Sequence, residues 1–369
     1  MMSIEILLIA LVTALATSLI GIFLVLRKLS MLTDAISHTI LLGIVIAYYF
    51  VGDLHSPILL VGATLMGVLT VYLIESILKV KHVNEGAAIG VVFTMLFSIA
   101  VIVINTQYRN VHLDVHMVLL GNLEFTIFNR THIGPFNLPT SLVVMTTVLM
   151  LNVVLIGLFY KEIKLISFDY ALAKALGFAP VLLHYVMMTF VSLTAVAAFD
   201  AVGAILVIAL MIGPPITALF YTKTLFKTIL LTLLIAIINT VVGYQLSIML
   251  DVTISGMIAT VVMFNFMISF IFAPKKGLLS RLITIRQQKK SAAFITLMQH
   301  IKNHENTPEA YDELGLATIN EHLRWKKPLL DKVLHKAIKE GYVKIRHDVI
   351  QLSEKGLKYY QNLKFIHGS

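Results

Sequence analysis

The sequence predicts an all-α polytopic membrane protein of about nine transmembrane helices, followed by a small α+β winged-helix domain on the cytoplasmic side. Three observations carry that expectation. Of 369 residues, 58% are hydrophobic and 13% charged, against roughly 25% charged in an ordinary soluble domain. Mean hydropathy is +0.88, and several apolar runs exceed the ~18 residues that mark a membrane span. Charge is also segregated. Residues 1–274 hold 11 Lys/Arg and 11 Asp/Glu, whereas residues 275–369 hold 18 and 9, so the whole net charge of +9 lies in the tail.

The first span, Ile4 to Leu26, is too long for the apolar core of a signal peptide. Arg27 and Lys28 follow it, not a small-residue cleavage site, so it reads as a retained helix. Further spans are expected over 31–51, 56–78, 86–106, 139–160, 180–199, 201–222, 226–249 and 252–272. The connection 107–138 is long and polar. Its apolar stretch "VHMVLLGNL" is too short to cross and reads as an interfacial or re-entrant turn. With the tail inside, Arg27, Lys28, Lys79, Lys81, Lys161, Lys164, Lys174, Lys223 and Lys227 all fall inside, and only Arg109 and Arg130 outside. That bias predicts an outward N-terminus.

In "ISFDYALAKALGFAP" (166–180), Asp169 can cap a short helix, Gly177 can end it and Pro180 can restart the chain. A compact helix between spans and a capped loop both fit this spacing. After the transmembrane domain (1–274), 275–290 reads as a linker and 291–369 as the winged-helix-like domain. Amphipathic helices are expected over 291–304, 307–321 and 326–340. Gly341 then stops the third helix, two alternating runs form a ribbon, and a helix over 353–364 closes the chain.

Asp34 and His38 stand four residues apart in a mostly apolar stretch, hence on one helix face. Each ionisable group in a span costs at least ~2.5–3.5 kcal/mol and usually marks a pathway. A carboxylate oxygen and an imidazole nitrogen together suit Mn²⁺, Fe²⁺ or Zn²⁺. The same spacing also fits an Asp–His hydrogen bond between helices, or an Asp cap. One chain supplies only two ligands, and a twofold pairing of chains would supply four. Asp200 lies among Gly203, Gly213, Pro214 and Pro215, which permit close approach and break a span. It can cap the following helix or contact metal. His112, Asp114 and His116 can form an outer metal entrance or a solvated loop. Isolated histidines such as His184 read as packing or surface residues.

Several chemistries are excluded. There is no cysteine, hence no disulfide or thiolate site. Neither a G-x-x-x-x-G-K-[ST] loop nor an H-E-x-x-H motif occurs, so the chain reads as a transport component rather than an enzyme.

The segment "GIFLVLRKLSMLTDAISHTILLGIVIAYYF" (21–50) resembles the first signature of ABC-transporter permeases for manganese, zinc and iron. "VHLDVHMVLLGNL" (111–123), "FDYALAKALG" (168–177) and "DAVGAILVIALMIGPPITA" (200–218) resemble that family's outer loop, coupling helix and late signature, in order over about 275 residues. The tail, "VIQLSEKG" (349–356) above all, is similar to the DNA-binding domain of iron-dependent repressors. The resemblance implies a permease in the bacterial plasma membrane, paired with an identical or related permease and driven by two separate ATP-binding subunits. An extracellular metal-binding lipoprotein or periplasmic binding protein would deliver the ion. It implies that Asp34 and His38 bind the transported Mn²⁺, Zn²⁺ or Fe²⁺, that no cofactor is held permanently, and that Phe168, Asp169, Ala173 and Gly177 belong to the ATPase-coupling segment. Two other functions stay open: a membrane-anchored, metal-responsive transcription regulator, and a permease for chelated iron or cobalamin. Lys326, Lys327, Lys332 and Lys336, on or before the third tail helix, could contact nucleic acid or anionic lipid. Lipid is the favoured partner, because a membrane-tethered domain reaches chromosomal DNA poorly.

Overall fold

The computed structural model describes residues 2–53, 56–80, 82–107, 123–133, 136–274 and 276–367. The chain divides into two compact units, Met1–Gly277 and Leu278–Ser369.

The first unit contains, among the described residues, nine helices long and apolar enough to cross a membrane. They are α1 (Met2–Leu26), α2 (Met31–Val51), α3 (Pro57–Leu78), α4 (Glu85–Gln107), α5 (Thr140–Leu158), α8 (Pro180–Val202), α9 (Ala204–Tyr221), α10 (Leu225–Leu250) and α11 (Ile254–Phe272). Two shorter helices, α6 (Tyr160–Phe168) and α7 (Tyr170–Ala175), separate α5 from α8. The spans fall within three residues of the expected ones, because apolar run length is what sets them. The connection before α5 holds an unexpected antiparallel pair, β1 (Arg130–Ile133) and β2 (Phe136–Pro139). Its Arg130 Nη2 reaches Glu5 Oε1 of α1 at 2.6 Å. The apolar piece over 115–122 lies outside the described residues.

Packing in this unit relies on small residues, since apolar side chains gain little by leaving lipid for one another. A Cβ on Gly43 of α2 would stand 2.6 Å from the Gly62 carbonyl oxygen of α3. The Thr39 and Thr70 hydroxyls join the same two helices at 2.7 Å. Thr17, Ser37, Thr64 and Thr70 each return their hydroxyl to the carbonyl four residues back, which satisfies these four within their own helices.

The expected break at Gly213-Pro214-Pro215 is absent, and α9 runs through both prolines. Each proline lacks the amide that would have bonded four residues back, which frees the carbonyls of Leu210 and Met211. In lipid such groups need another partner. Ser18 of α1 donates to the Leu210 oxygen at 2.8 Å. Gly21, one turn on, lies so close to the Met211 oxygen that a Cβ would stand 1.9 Å away. The helix therefore continues because α1 presses against the side it exposes.

The second unit, residues 278–367, contains α12 (Leu278–His304), α13 (Ala310–Leu314), α14 (Ile319–Leu323), α15 (Lys327–Lys339), β3 (Val343–Arg346), β4 (Val349–Leu352) and α16 (Glu354–His367). The stretch read as a linker is helical from Leu278 onward, because α12 is unbroken. The single helix expected over 307–321 is two short ones. Between them Gly315 turns to extended backbone, at φ −64° and ψ 143°, and bridges to Val349. The β3–β4 ribbon turns on His347 and Asp348, both at positive φ, the geometry of a tight twisted hairpin. Phe294, Leu297, Met298, Ile301, Leu330 and Val343 lie in its own buried core.

Replacing Gly21 by Ala should lower the thermal unfolding midpoint of the detergent-purified protein, at a cost of about 1–3 kcal/mol for the overpacked contact. Ser18→Ala should cost a similar ~1–3 kcal/mol by stranding the Leu210 carbonyl. Gly157→Ala is the control: nothing lies within 4 Å of a Cβ there, and its midpoint should not fall.

Candidate metal-ion pathway site

Helix α2 starts after Ser30, which makes no side-chain cap. Asp34 lies in its first turn, where the helix dipole favours negative charge, yet it does not cap. Most neighbours of Asp34 are buried: Leu32, Thr33, Ala35, Ile36 and Ser37. Thr33 Oγ1 sits 3.6 Å from the sulfur of Met211, whose carbonyl abuts Gly21. The α1–α9 contact thus also seats the start of α2.

Asp34 and His38 occupy the open stripe of this helix. Asp34 Oδ1 and His38 Nε2 are 3.5 Å apart, with side-chain exposures of 61% and 28%. That separation is too long for a hydrogen bond and close to what two ligands of one small cation require. An inter-helix Asp–His staple is therefore not what this pair forms. The His38 ring rests against Phe93 and Phe97 of α4, with centroids 4.9 and 6.3 Å away, which fixes the imidazole while the carboxylate stays accessible. Among the described residues, no third His, Asp or Glu of this chain joins the pair in a close ligand group.

Asp200 lies exposed within the last turn of α8, and the N-cap position of α9 belongs to Gly203, at φ 81°, a conformation suited to glycine. His112, Asp114 and His116 lie outside the described residues.

Local sequence builds the 166–180 segment as a capped helix. Asp169 Oδ1 accepts the Leu172 amide at 2.9 Å, Gly177 takes φ 84°, and Pro180 opens α8. Ala173 is buried, while Phe168, Tyr170, Leu172 and Leu176 are exposed. An apolar knob of this kind suits a partner groove.

One polar cluster escaped the sequence reading. His184 of α8 is buried, not a plain packing or surface residue. Its Nε2 lies 2.5 Å from Glu75 Oε1 of α3, and the Tyr185 hydroxyl donates to Glu75 Oε2 at 3.1 Å. Arg27, at the end of α1, faces the same carboxylate. Burial pushes the Arg27 guanidinium below its usual pKa, against the attraction of Glu75 and Tyr170. A carboxylate near the end of a span was the available signal.

The ABC 3 transport family model matches residues 2–273. The chain belongs to this family. Zinc transport system membrane protein TroD of Treponema pallidum (strain Nichols) is 38% identical over 360 residues, covering 98% of both chains. The likeness to this family member thus extends through the second unit. Manganese transport system membrane protein MntD of Bacillus subtilis (strain 168) is 42% identical over 276 residues, 74% of this chain and 93% of that one. Among solved structures, PsaBC from Streptococcus pneumoniae in complex with Fab aligns with a TM-score of 0.62 at 27% identity. It covers 76% of this chain and 94% of that chain.

His184→Ala should strand the Glu75 carboxylate and cost roughly 1–3 kcal/mol, while Tyr185→Phe removes one bond and costs ~0.5–1.5 kcal/mol. Thermal unfolding of the purified variants measures both; a His184→Ala midpoint equal to wild type contradicts the pairing.

Proposed function

We propose that this chain is the permease subunit of an ATP-binding-cassette importer that carries a divalent transition-metal ion, Mn²⁺, Zn²⁺ or Fe²⁺, into the bacterial cytoplasm. The Asp34–His38 pair carries the reading: one hard oxygen and one borderline nitrogen, 3.5 Å apart on an exposed helix stripe. Relatives named for zinc and manganese transport support it. A tether needs no such pair, and a chelate or cobalamin offers no bare ion to it.

One chain provides half of a ligand set. A second permease, identical or related, brings its own Asp–His pair across a twofold axis and completes four ligands. A binding protein delivers the ion at the outer mouth. The ion exchanges water for carboxylate and imidazole, held firmly enough to replace hydration and loosely enough to leave. ATP is hydrolysed on separate subunits, and α7, with Phe168, Asp169, Ala173 and Gly177, transmits their closure. The bias of Lys and Arg among the loops supports an outward N-terminus and an inward second unit.

We read the second unit as a winged-helix-like regulatory or assembly domain. Lys326, Lys327 and Lys332 are exposed at the start of α15, whereas Lys336 is engaged with Glu340 and the Phe294 ring. Anionic head groups suit this basic surface.

Asp34→Ala and His38→Ala should each abolish metal accumulation, assayed element by element in cells lacking the native chain, with protein level and complex assembly unchanged. Undiminished uptake in either variant refutes the pathway role. In a gel-shift at moderate salt, the full-length protein in detergent should show no sequence-specific retardation of DNA; specific retardation would restore the regulator reading.

A further inference from the structure

In the second unit, three imidazoles surround one carboxylate oxygen. His300 and His304 lie one turn apart on α12, Glu313 on α13 and His322 on α14. Nε2 of His300, Nε2 of His304 and Nδ1 of His322 stand 3.7, 3.6 and 3.4 Å from Glu313 Oε2. The ligand atoms of His300, His304 and Glu313 all fall within 4.8 Å of one another. The His300 ring lies 4.8 Å from that of His304 and 6.3 Å from that of His322.

Hydrogen bonding to the Glu313 carboxylate does not explain this spacing. Side-chain bonds of this kind close to about 2.7–3.2 Å, and none of the three contacts does. A tetrahedral ion with ligands at ~2.0–2.1 Å holds its ligand atoms roughly 3.3–3.4 Å apart, the scale of the three contacts to Glu313 Oε2; His322 stands outside the group whose ligand atoms all approach one another. His300 Nε2 also contacts the Glu313 backbone carbonyl at 3.2 Å, a contact that ligation would replace. Side-chain exposure rises from 13% at His300 and 18% at Glu313 to 29% at His304 and 38% at His322. An ion therefore has a route in from the His322 side and a largely buried floor to rest on.

We infer that His300, His304 and Glu313 form a site for a divalent transition-metal ion, with His322 beside Glu313 as the side chain that closes a tetrahedron, and with Zn²⁺ held more tightly than Mn²⁺. Three imidazoles and one carboxylate suit a borderline cation, and the ordinary affinity order places zinc far above manganese. Ligands from three helices mean that the ion clamps α12 to α13 and α14, the elements that lead into α15. This site lies in the other unit from Asp34 and His38 and stands whether or not that pair conducts metal.

The test uses the full-length chain in detergent, purified without a histidine tag and carrying Asp34→Ala and His38→Ala, so that the span pair adds no signal. Zn²⁺ alone is titrated against a chromophoric chelator, and Co²⁺ alone is followed by its visible spectrum. The parent should hold one equivalent of Zn²⁺ and give the intense bands of tetrahedral Co²⁺. Glu313→Gln and His304→Ala should each weaken Zn²⁺ by at least roughly 10-fold, the loss known even for outer-shell partners, and abolish those bands. Where one of these disturbs the fold, His322→Asn, at the most exposed position, decides: weakened Zn²⁺ and an altered Co²⁺ spectrum with unchanged gel filtration support the site. A parent that retains no stoichiometric ion, or variants with undiminished affinity and an unchanged spectrum, overturn it.

Discussion

Pro214 and Pro215 remove two amide donors from α9 within the membrane unit. A helix among lipids has no water to accept the loss, so the carbonyls of Leu210 and Met211 must be met by protein. The Ser18 hydroxyl of helix α1 meets the Leu210 carbonyl, and Gly21 lets the α1 backbone lie directly against the Met211 carbonyl. The Thr33 hydroxyl reaches the Met211 side chain from the other side. Three helices are thereby held in register around one residue, and Asp34 follows Thr33 directly. The proline pair is thus a docking point rather than a break.

On α2, burial and exposure divide cleanly around that point. Leu32, Thr33, Ala35, Ile36 and Ser37 are covered, while Asp34 stays open and His38 is steadied by Phe93 and Phe97. The buried face packs against the neighbouring helices, and the open one presents the carboxylate and the imidazole. The cluster of Glu75, His184, Tyr185 and Arg27 joins α3, α8 and α1. It adds a second polar tie between the spans and lies beside the segment that carries α7.

Much of this was legible in the sequence because one-dimensional quantities decide it. Run length sets the spans, and a four-residue spacing puts Asp34 and His38 on one face. Asp169, Gly177 and Pro180 are local signals for a short helix, and each is read without its neighbours. What escaped depends on distant partners. The continuity of α9 needs Ser18, nearly 200 residues away. The split at Gly315 follows from a bridge to Val349, and the burial of His184 from Glu75. The imidazole cluster was missed for the same reason. His300 and His304 have the same spacing as Asp34 and His38, but Glu313 and His322 lie on other helices, and only folding brings them together.

The open Asp34 has an implication for how cells handle subunit imbalance. A solitary copy exposes two donors and offers a passing cation no enclosure, so on the transport reading it is an inert protein rather than a leak. With the pairing proposed above, transport would begin only when two subunits meet, and surplus synthesis of one subunit would leave the barrier to toxic metals intact.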